Sequence, residues 1–393
     1  NHEFISYDMK RVENGVFSLY LSGDYDNCEY LYQVRHHDSF INALDPYAYS
    51  SSANGRSSII IDLNKCMIDL NRQYLKPLKQ KTDAILYELS VRDFTMYENS
   101  PSKHKGKFLG VSEAGLITKH GNNAGLDYLV NLGITHVQLM PIFDFATVDE
   151  NQPHLLYNWG YDPAQYNVPE GSYCSDPNDG YSRVLECKEM IARLHRHGLR
   201  VIMDVVYNHM YDVNASPFER IVPGYYFRKN MDGTLSNGSW CGNDLESCNY
   251  MVRKYIIDMS RRWQSFYGVD GYRFDLMGII DIETINQVYQ ICHSYDKSFM
   301  VYGEGWNMPT SLPDDQKAMQ FNHYKMPNIS FFNDEFREVI KGGSSDGVLV
   351  NKGFITGNLY ETERARNCIM ACNRYTSPDQ SINYVECHDN ATI

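Results

Sequence analysis

The chain has 393 residues, 43% of them hydrophobic and 22% charged, a balance that supports a large buried core with an accessory domain. Its formal net charge of −13 repels phosphate backbones, so nucleic acid is not an expected partner. No apolar run reaches the ~20 residues that a membrane-spanning helix needs, so no membrane partner is expected either.

Residues 1 to about 78 read as β. Short alternating runs recur at Val16 to Leu21, Tyr30 to Val34 and Ile59 to Leu63. Turn chemistry such as Ser22-Gly23-Asp24 and Asn54-Gly55 separates them. This pattern predicts a small β-sandwich or part of one, with Lys76-Pro77-Leu78-Lys79 as a linker. The chain opens at Asn1-His2-Glu3-Phe4 without a signal peptide or initiator Met, which reads as an internal start and leaves export open.

From residue 84 the pattern changes to strand-like runs alternating with helix-period segments. The runs are Ala84 to Val91, His136 to Pro141, Val201 to Val206, Gly271 to Leu276, Met300 to Gly303, Ile329 to Phe332 and Ile382 to Val385. One intervening helix puts Val184, Cys187, Ile191 and Leu194 on a single face, and another does so with Met251, Tyr255, Met259, Trp263 and Phe266. Such alternation predicts an α/β fold with a parallel sheet closed as a (β/α)8 TIM barrel, of which about seven strands are visible. The division is then 1–78 for the β segment and 79–393 for the barrel. Nearly forty residues rich in Asn, Pro, Gly and Tyr lie between Ile142 and a helix starting near Tyr181, and long ordered loops of this kind usually serve function.

The 10 cysteines lie mostly in apolar stretches, as Cys187 and Cys292 do, which reads as reduced thiols in a cytoplasmic setting rather than a disulfide framework. Neither Cys368 with Cys372 nor Cys241 with Cys248 has zinc-ligand spacing, so no metal site is assigned. His195 and His197 precede Gly198 and are expected to cap a helix. The 31 tyrosines suit a sugar, because a ring with a polar tip matches C–H faces and hydroxyl edges; composition alone is met equally well by packing.

Four polar clusters follow strand-like runs directly, where barrel enzymes place their chemistry. Val201 to His209 carries Asp204 inside an apolar run, where a carboxylate needs a partner, with Asn208 and His209 at the strand mouth. Gly271 to Leu276 carries Arg273 and Asp275 two apart, hence on one strand face; an Arg beside a carboxylate favours the ionised form a nucleophile needs. Met300 to Trp306 carries Glu304 beside Trp306, where a partly apolar site would raise its pKa as a general acid requires. The flanking Gly303 and Gly305 are expected to let substrate approach the backbone. Ile382 to Asn390 closes a run with His388 and Asp389. Carboxylates about 5–5.5 Å apart serve double displacement in retaining glycosidases.

In order, these four clusters resemble the four short regions of the α-amylase superfamily of glycoside hydrolases. The resemblance implies that Asp275 is the nucleophile, Glu304 the acid/base and Asp389 the third carboxylate, which binds sugar hydroxyls. It implies that Arg273 orients Asp275, that His209 and His388 contact the sugar, and that Asp204 is mainly architectural. The segment Tyr157-Asn158-Trp159-Gly160-Tyr161-Asp162-Pro163 resembles the marker of type I pullulanases, which cleave α-1,6 branch linkages in α-glucans. There Tyr161 would stack on sugar, with Trp306 a further binding residue. Asp45-Pro46-Tyr47-Ala48 and Gly55-Arg56 resemble part of a glucan-binding β-sandwich. No cofactor is implied; a structural calcium near Asn208 is compatible with the resemblance. The alternatives are an α-1,4-acting relative, against which the Tyr157 to Pro163 segment argues, and a non-catalytic glucan-binding chain. Because Ile393 falls just after the fourth cluster, the sequence reads as a piece of a longer protein.

Overall fold

The computed structural model describes residues 4–345, 347–371 and 374–392. Its centre is one parallel sheet of seven strands: β1 (Leu86–Leu89), β2 (His136–Leu139), β3 (Arg200–Val205), β4 (Gly271–Phe274), β5 (Met300–Gly303), β6 (Ser330–Asn333) and β7 (Ser381–Asn383). They lie in chain order, each hydrogen-bonded to the next. All seven overlap the strand-like runs of the sequence, the last ending at Asn383 rather than Val385. The sheet curls as a half-barrel, as expected of part of a (β/α)8 barrel.

Side chains alternate across each strand, so two apolar layers form on its two faces. Outside lies the main core, where Val201, Met203 and Val205 of β3 and Tyr272 and Phe274 of β4 meet the helices. Inside, Ile202, Tyr302 and Phe332 cluster with Leu86, Trp306, Ile382 and Tyr384. Polar residues occupy the same inward positions nearer the strand mouths. The register sets Glu88 beside Gln138, Asp204 beside Arg273, and Arg273 beside Tyr302.

Helices fill most connections: α1 (Gly125–Asn131), α2 (Ser182–Arg196), α3 (Tyr250–Arg262), α4 (Ile282–Tyr295), α5 (Asp334–Ile340) and α6 (Thr362–Ile369). In α2 the predicted stripe of Val184, Cys187, Ile191 and Leu194 is fully buried; each aliphatic side chain so placed contributes about 1.5–3 kcal/mol. In α3 Tyr255 and Met259 of the predicted stripe are buried together with Val252 and Ile256, and Trp263 just beyond is fully buried, while Met251 at the helix start is exposed. The helix then widens into a π turn over Trp263–Tyr267, ended by Gly268 at φ 95°. Asp281 and Asn333 cap α4 and α5 by accepting from the Thr284 and Phe336 amides. The β5–β6 connection carries a 3-10 turn, Gln320–Lys325, in place of an α-helix.

Ahead of the barrel lie short antiparallel pairs: Lys10–Arg11 with Phe17–Ser18, Tyr32–His36 with Ser39–Ala43, and Ser58–Ile59 between Glu29–Tyr30 and Ser50–Ser51. Tyr47, Ile61 and Cys66 pack into the barrel's own outer core. Tyr47 Oη donates to Asp258 at 2.9 Å, and Arg72 pairs with Asp270 at 2.8 Å. The β segment is thereby tied to the barrel over residues 47–72.

The predicted long loop is an ordered excursion. Phe143–Phe145 pairs with Pro163–Pro169, and its base is clamped by Arg183, fully buried, against Glu150 at 2.7 Å. Breaking such a buried pair costs about 3–5 kcal/mol, since one charge is left alone. Among the described cysteines all are free, five of them buried: Cys66, Cys174, Cys187, Cys292 and Cys368. Cys372 lies outside the described residues. His197 caps α2 by its ring contact to the Arg193 carbonyl. His195 does not. Its buried ring spans the Leu70 carbonyl and Asp270, so it fastens the base of the barrel rather than the helix end.

Candidate active site

At the mouth of β4 one guanidinium organises three carboxylates. Arg273 Nη1 reaches Asp204 at 3.1 Å and Asp275 at 2.9 Å, while Nη2 reaches Glu304 at 2.8 Å. Strand geometry explains this meeting. Asp204 and Arg273 are register neighbours on β3 and β4, Asp275 follows two residues on, and Glu304 ends β5 next door. Asn208 secures Asp275 from the other side, its amide donating to the carboxylate at 2.8 Å and to the backbone carbonyl at 2.9 Å. His209 in turn engages the Asn208 amide oxygen.

The backbone after Asp275 is strained. Leu276 stands at φ 40° and ψ 48°, a left-handed conformation that costs a non-glycine residue about 1–3 kcal/mol. Its amide thereby donates to Glu304 at 3.0 Å, so the strained turn links the two carboxylates' positions.

Electrostatics separate the acids. Burial raises the pKa of Glu304 against the pull of Arg273, and the nearby Asp275 charge raises it further. Burial likewise pushes Asp204 up to about 7 although Arg273 opposes it. Burial lowers the pKa of His209 despite the Asp275 charge. A carboxyl with a raised pKa beside another carboxylate is the pairing that acid–base chemistry uses.

The Tyr157 to Pro163 segment is built to present Tyr161. Asn158 donates to Asp162 and to Thr147, and accepts from the Gly160 amide at 2.7 Å. Gly160 sits at φ 94°, and a Cβ there would meet Pro141 at 2.9 Å. Tyr161 then leans over the site, its hydroxyl donating to Asp204 at 2.8 Å and its ring stacked on His388 at 4.9 Å. Trp159 touches the same imidazole edge-on. Trp306 packs partly into the inner barrel layer. Asp389 is the open member of the set, its side chain 49% exposed and 3.4 Å from His388 Nε2.

Asp204, expected to be mainly architectural, is fully buried under Arg273 and Tyr161. One sequence expectation changes here. Gly303 and Gly305 do not open the backbone to substrate. A Cβ on Gly303 would lie 2.5 Å from the Phe274 carbonyl, and one on Gly305 2.5 Å from the Phe331 ring, so both permit close packing of protein on protein. Glu88 was missed altogether. It is a lone carboxylate in the apolar run Leu86-Tyr87-Glu88-Leu89, the same signal that marked Asp204.

For a cation, Asn208 is poorly disposed, since its amide nitrogen faces Asp275 and its oxygen His209. The carboxylates of Asp144, Glu150 and Glu170 do lie close together and buried among the described residues, with Arg183 supplying positive charge to Glu150.

A family model described as the α-amylase catalytic domain matches residues 112–229. Over nearly its whole length the chain resembles the pullulanases. It is 41% identical to the pullulanase of Bacillus subtilis (strain 168) over 99% of its own length and 54% of the relative's. It is 33% identical to pullulanase 1, chloroplastic, of Arabidopsis thaliana over 97% of its length and 49% of the relative's. The crystal structure of the pullulanase from Anoxybacillus sp. LM18-11 complexed with maltotetraose superposes with a TM-score of 0.95 at 44% identity. That match covers 98% of this chain and 56% of the other. The chain thus spans about half the length of the relatives it matches.

Proposed function

We propose that this chain carries the active site of a retaining glycoside hydrolase that cleaves α-1,6 branch linkages in pullulan, starch or glycogen-derived dextrins. The observation that carries the reading is the single Arg273 fork holding Asp275 and Glu304 together. Inverting enzymes keep their carboxyls about 6.5–9.5 Å apart to admit a water; double displacement needs the closer pair. Solved pullulanases of similar sequence and fold are complexed with maltotetraose and maltotriose, which favours an α-glucan as ligand.

In this scheme Asp275 attacks the anomeric carbon while Glu304 gives its proton to the departing glycosidic oxygen. A glycosyl ester on Asp275 results. Glu304, now ionised, takes a proton from water; the hydroxide adds to the anomeric carbon and the Asp275 carboxylate leaves. Asp389, open to solvent, binds sugar hydroxyls, and His388 and His209 flank the same sugar. Tyr161 and Trp306 supply aromatic surface. Two carboxylates complete the cycle, so the reaction asks no metal or cofactor of these residues. Residues 1–78 are taken as an accessory, glucan-binding-like segment and 79–393 as the catalytic unit.

Incubation with pullulan and chromatography of the products tests the reading. Maltotriose is the expected product. Panose or isopanose would assign α-1,4 cleavage instead, and glucan binding without any product would leave a binding protein.

A further inference from the structure

Strands β1 and β7 form the two edges of the sheet, yet one pair of residues joins the loop after β7 to β1. Glu88 Oε2 accepts the His388 backbone amide at 2.8 Å, and Oε1 lies 3.0 Å from His388 Nδ1. The same carboxylate accepts from Gln138 Nε2 at 2.7 Å, and the Gln138 oxygen accepts from Tyr302. Glu88 is therefore anchored on two neighbouring strands and holds both the backbone and the ring of His388.

We propose that Glu88 is a positioning residue for the proposed hydrolysis, fixing His388 with Nδ1–H bound to Glu88 so that Nε2 is turned toward Asp389 and the sugar. The inference rests on the reading of the site given above. The geometry is specific. With Nδ1 held by Glu88 and one ring face covered by Tyr161, Nε2 is the nitrogen left beside the open carboxylate of Asp389.

Glu88 also governs the charge of that ring. The groups facing His388 are Glu88 on β1, Asp204 on β3, Arg273 on β4, Tyr161 in the excursion, and Asp389 on its own loop. Burial and Arg273 disfavour the imidazolium, but the hydrogen bond and charge of Glu88, with Asp389, raise its pKa above the ordinary value. The pKa of Glu88 falls reciprocally through its bond to His388, although its own burial opposes the shift. A protonated ring can donate from Nε2 to a sugar oxygen; a neutral ring with its proton on Nδ1 cannot.

Side-chain NMR titration of the histidines in the full chain, with His388 assigned by its loss in His388→Gln, tests this without any turnover. In the wild type His388 should titrate above about 6.5. In Glu88→Gln its pKa should drop, and Glu88→Asp should restore part of the shift. On pullulan, kcat/KM of Glu88→Gln should fall on the order of 10–100-fold at neutral pH, the worth of a hydrogen bond to a charged group. The loss should shrink as pH is lowered, because acid restores the protonated ring that Glu88 no longer favours. A purely structural role would give a loss that does not vary with pH. An unshifted His388 in folded Glu88→Gln overturns the proposal. If that variant does not fold, a wild-type His388 titrating at or below the ordinary value overturns it equally. Failure of the chain to cleave pullulan would strike the reaction assignment and leave the titration result standing.

Discussion

The barrel holds two buried ionic networks, one at its base and one at its mouth, and they solve opposite problems. At the base Asp270 is fully buried but saturated. It meets His195 at 2.8 Å, Arg72 at 2.8 Å and the Val201 amide at 2.8 Å. Against burial, these partners hold its carboxyl below the usual range. At the mouth three carboxylates, Asp204, Asp275 and Glu304, share the one guanidinium of Arg273. There burial wins, and Glu304 and Asp204 are shifted upward. The base spends its charges on holding strands together. The mouth sets one cation against three acids, the kind of environment that the proposed general acid requires.

Substitutions can break this contrast. The largest effect is expected from Asp275→Asn, with turnover on pullulan lower by orders of magnitude, about 10⁴ or more by analogy with loss of other nucleophiles, while glucan binding measured by calorimetry persists. Turnover equal to wild type would remove Asp275 from the reaction. Glu304→Gln should lose roughly 10²–10⁴-fold in kcat, the usual worth of a general acid, and should lose less on substrates with good leaving groups. Asp270→Asn should leave kcat nearly unchanged but cost about 3–5 kcal/mol of stability in denaturant melts, because His195 and Arg72 lose their shared partner. A fall in kcat with unchanged stability would mean that base and mouth are not separate.

The smallest expected effect is in the pH dependence of stability. Asp204 titrates at about 7 in the folded chain, against an ordinary 3.8. The folded state therefore binds more protons than the unfolded state between those values. Stability contributed at this site falls as pH rises through that window. Asp270 has the opposite sign: its contribution is present above the ordinary carboxylate pKa and is lost as pH falls through the lowered folded value. Melting of Asp204→Asn across pH 4 to 7 should show a flatter slope than the wild type; an unchanged slope would contradict the raised Asp204.

Much of this was legible in the residues. All seven strands could be read because a parallel strand covered on both faces is a continuous apolar run, and the acids that meet at Arg273 because they interrupt or end such runs. What escaped was pairing at a distance. Glu88 carried the same mark as Asp204, but nothing local says that its partner is His388, 300 positions on. His195 read as a helix cap because its tie to Asp270 crosses 75 residues. Met251 was placed inside with Tyr255, Met259 and Trp263, yet it is exposed while they are buried, because periodicity does not say where along a helix its cover begins. Gly303 and Gly305 suggested access for a ligand, whereas the close neighbours are Phe274 and Phe331. Charge and periodicity are written locally; the identity of the facing atom is not.

The claim at the centre is that Asp275 forms a glycosyl ester while Glu304 manages the proton. Incubating the chain with a 5-fluoro maltosyl fluoride, which slows hydrolysis of the ester, followed by peptide mass spectrometry, addresses it directly. Label confined to Asp275, and absent in Asp275→Asn, is expected. Label on another residue, or turnover with inversion of the anomeric centre and no label at all, would contradict double displacement at this site.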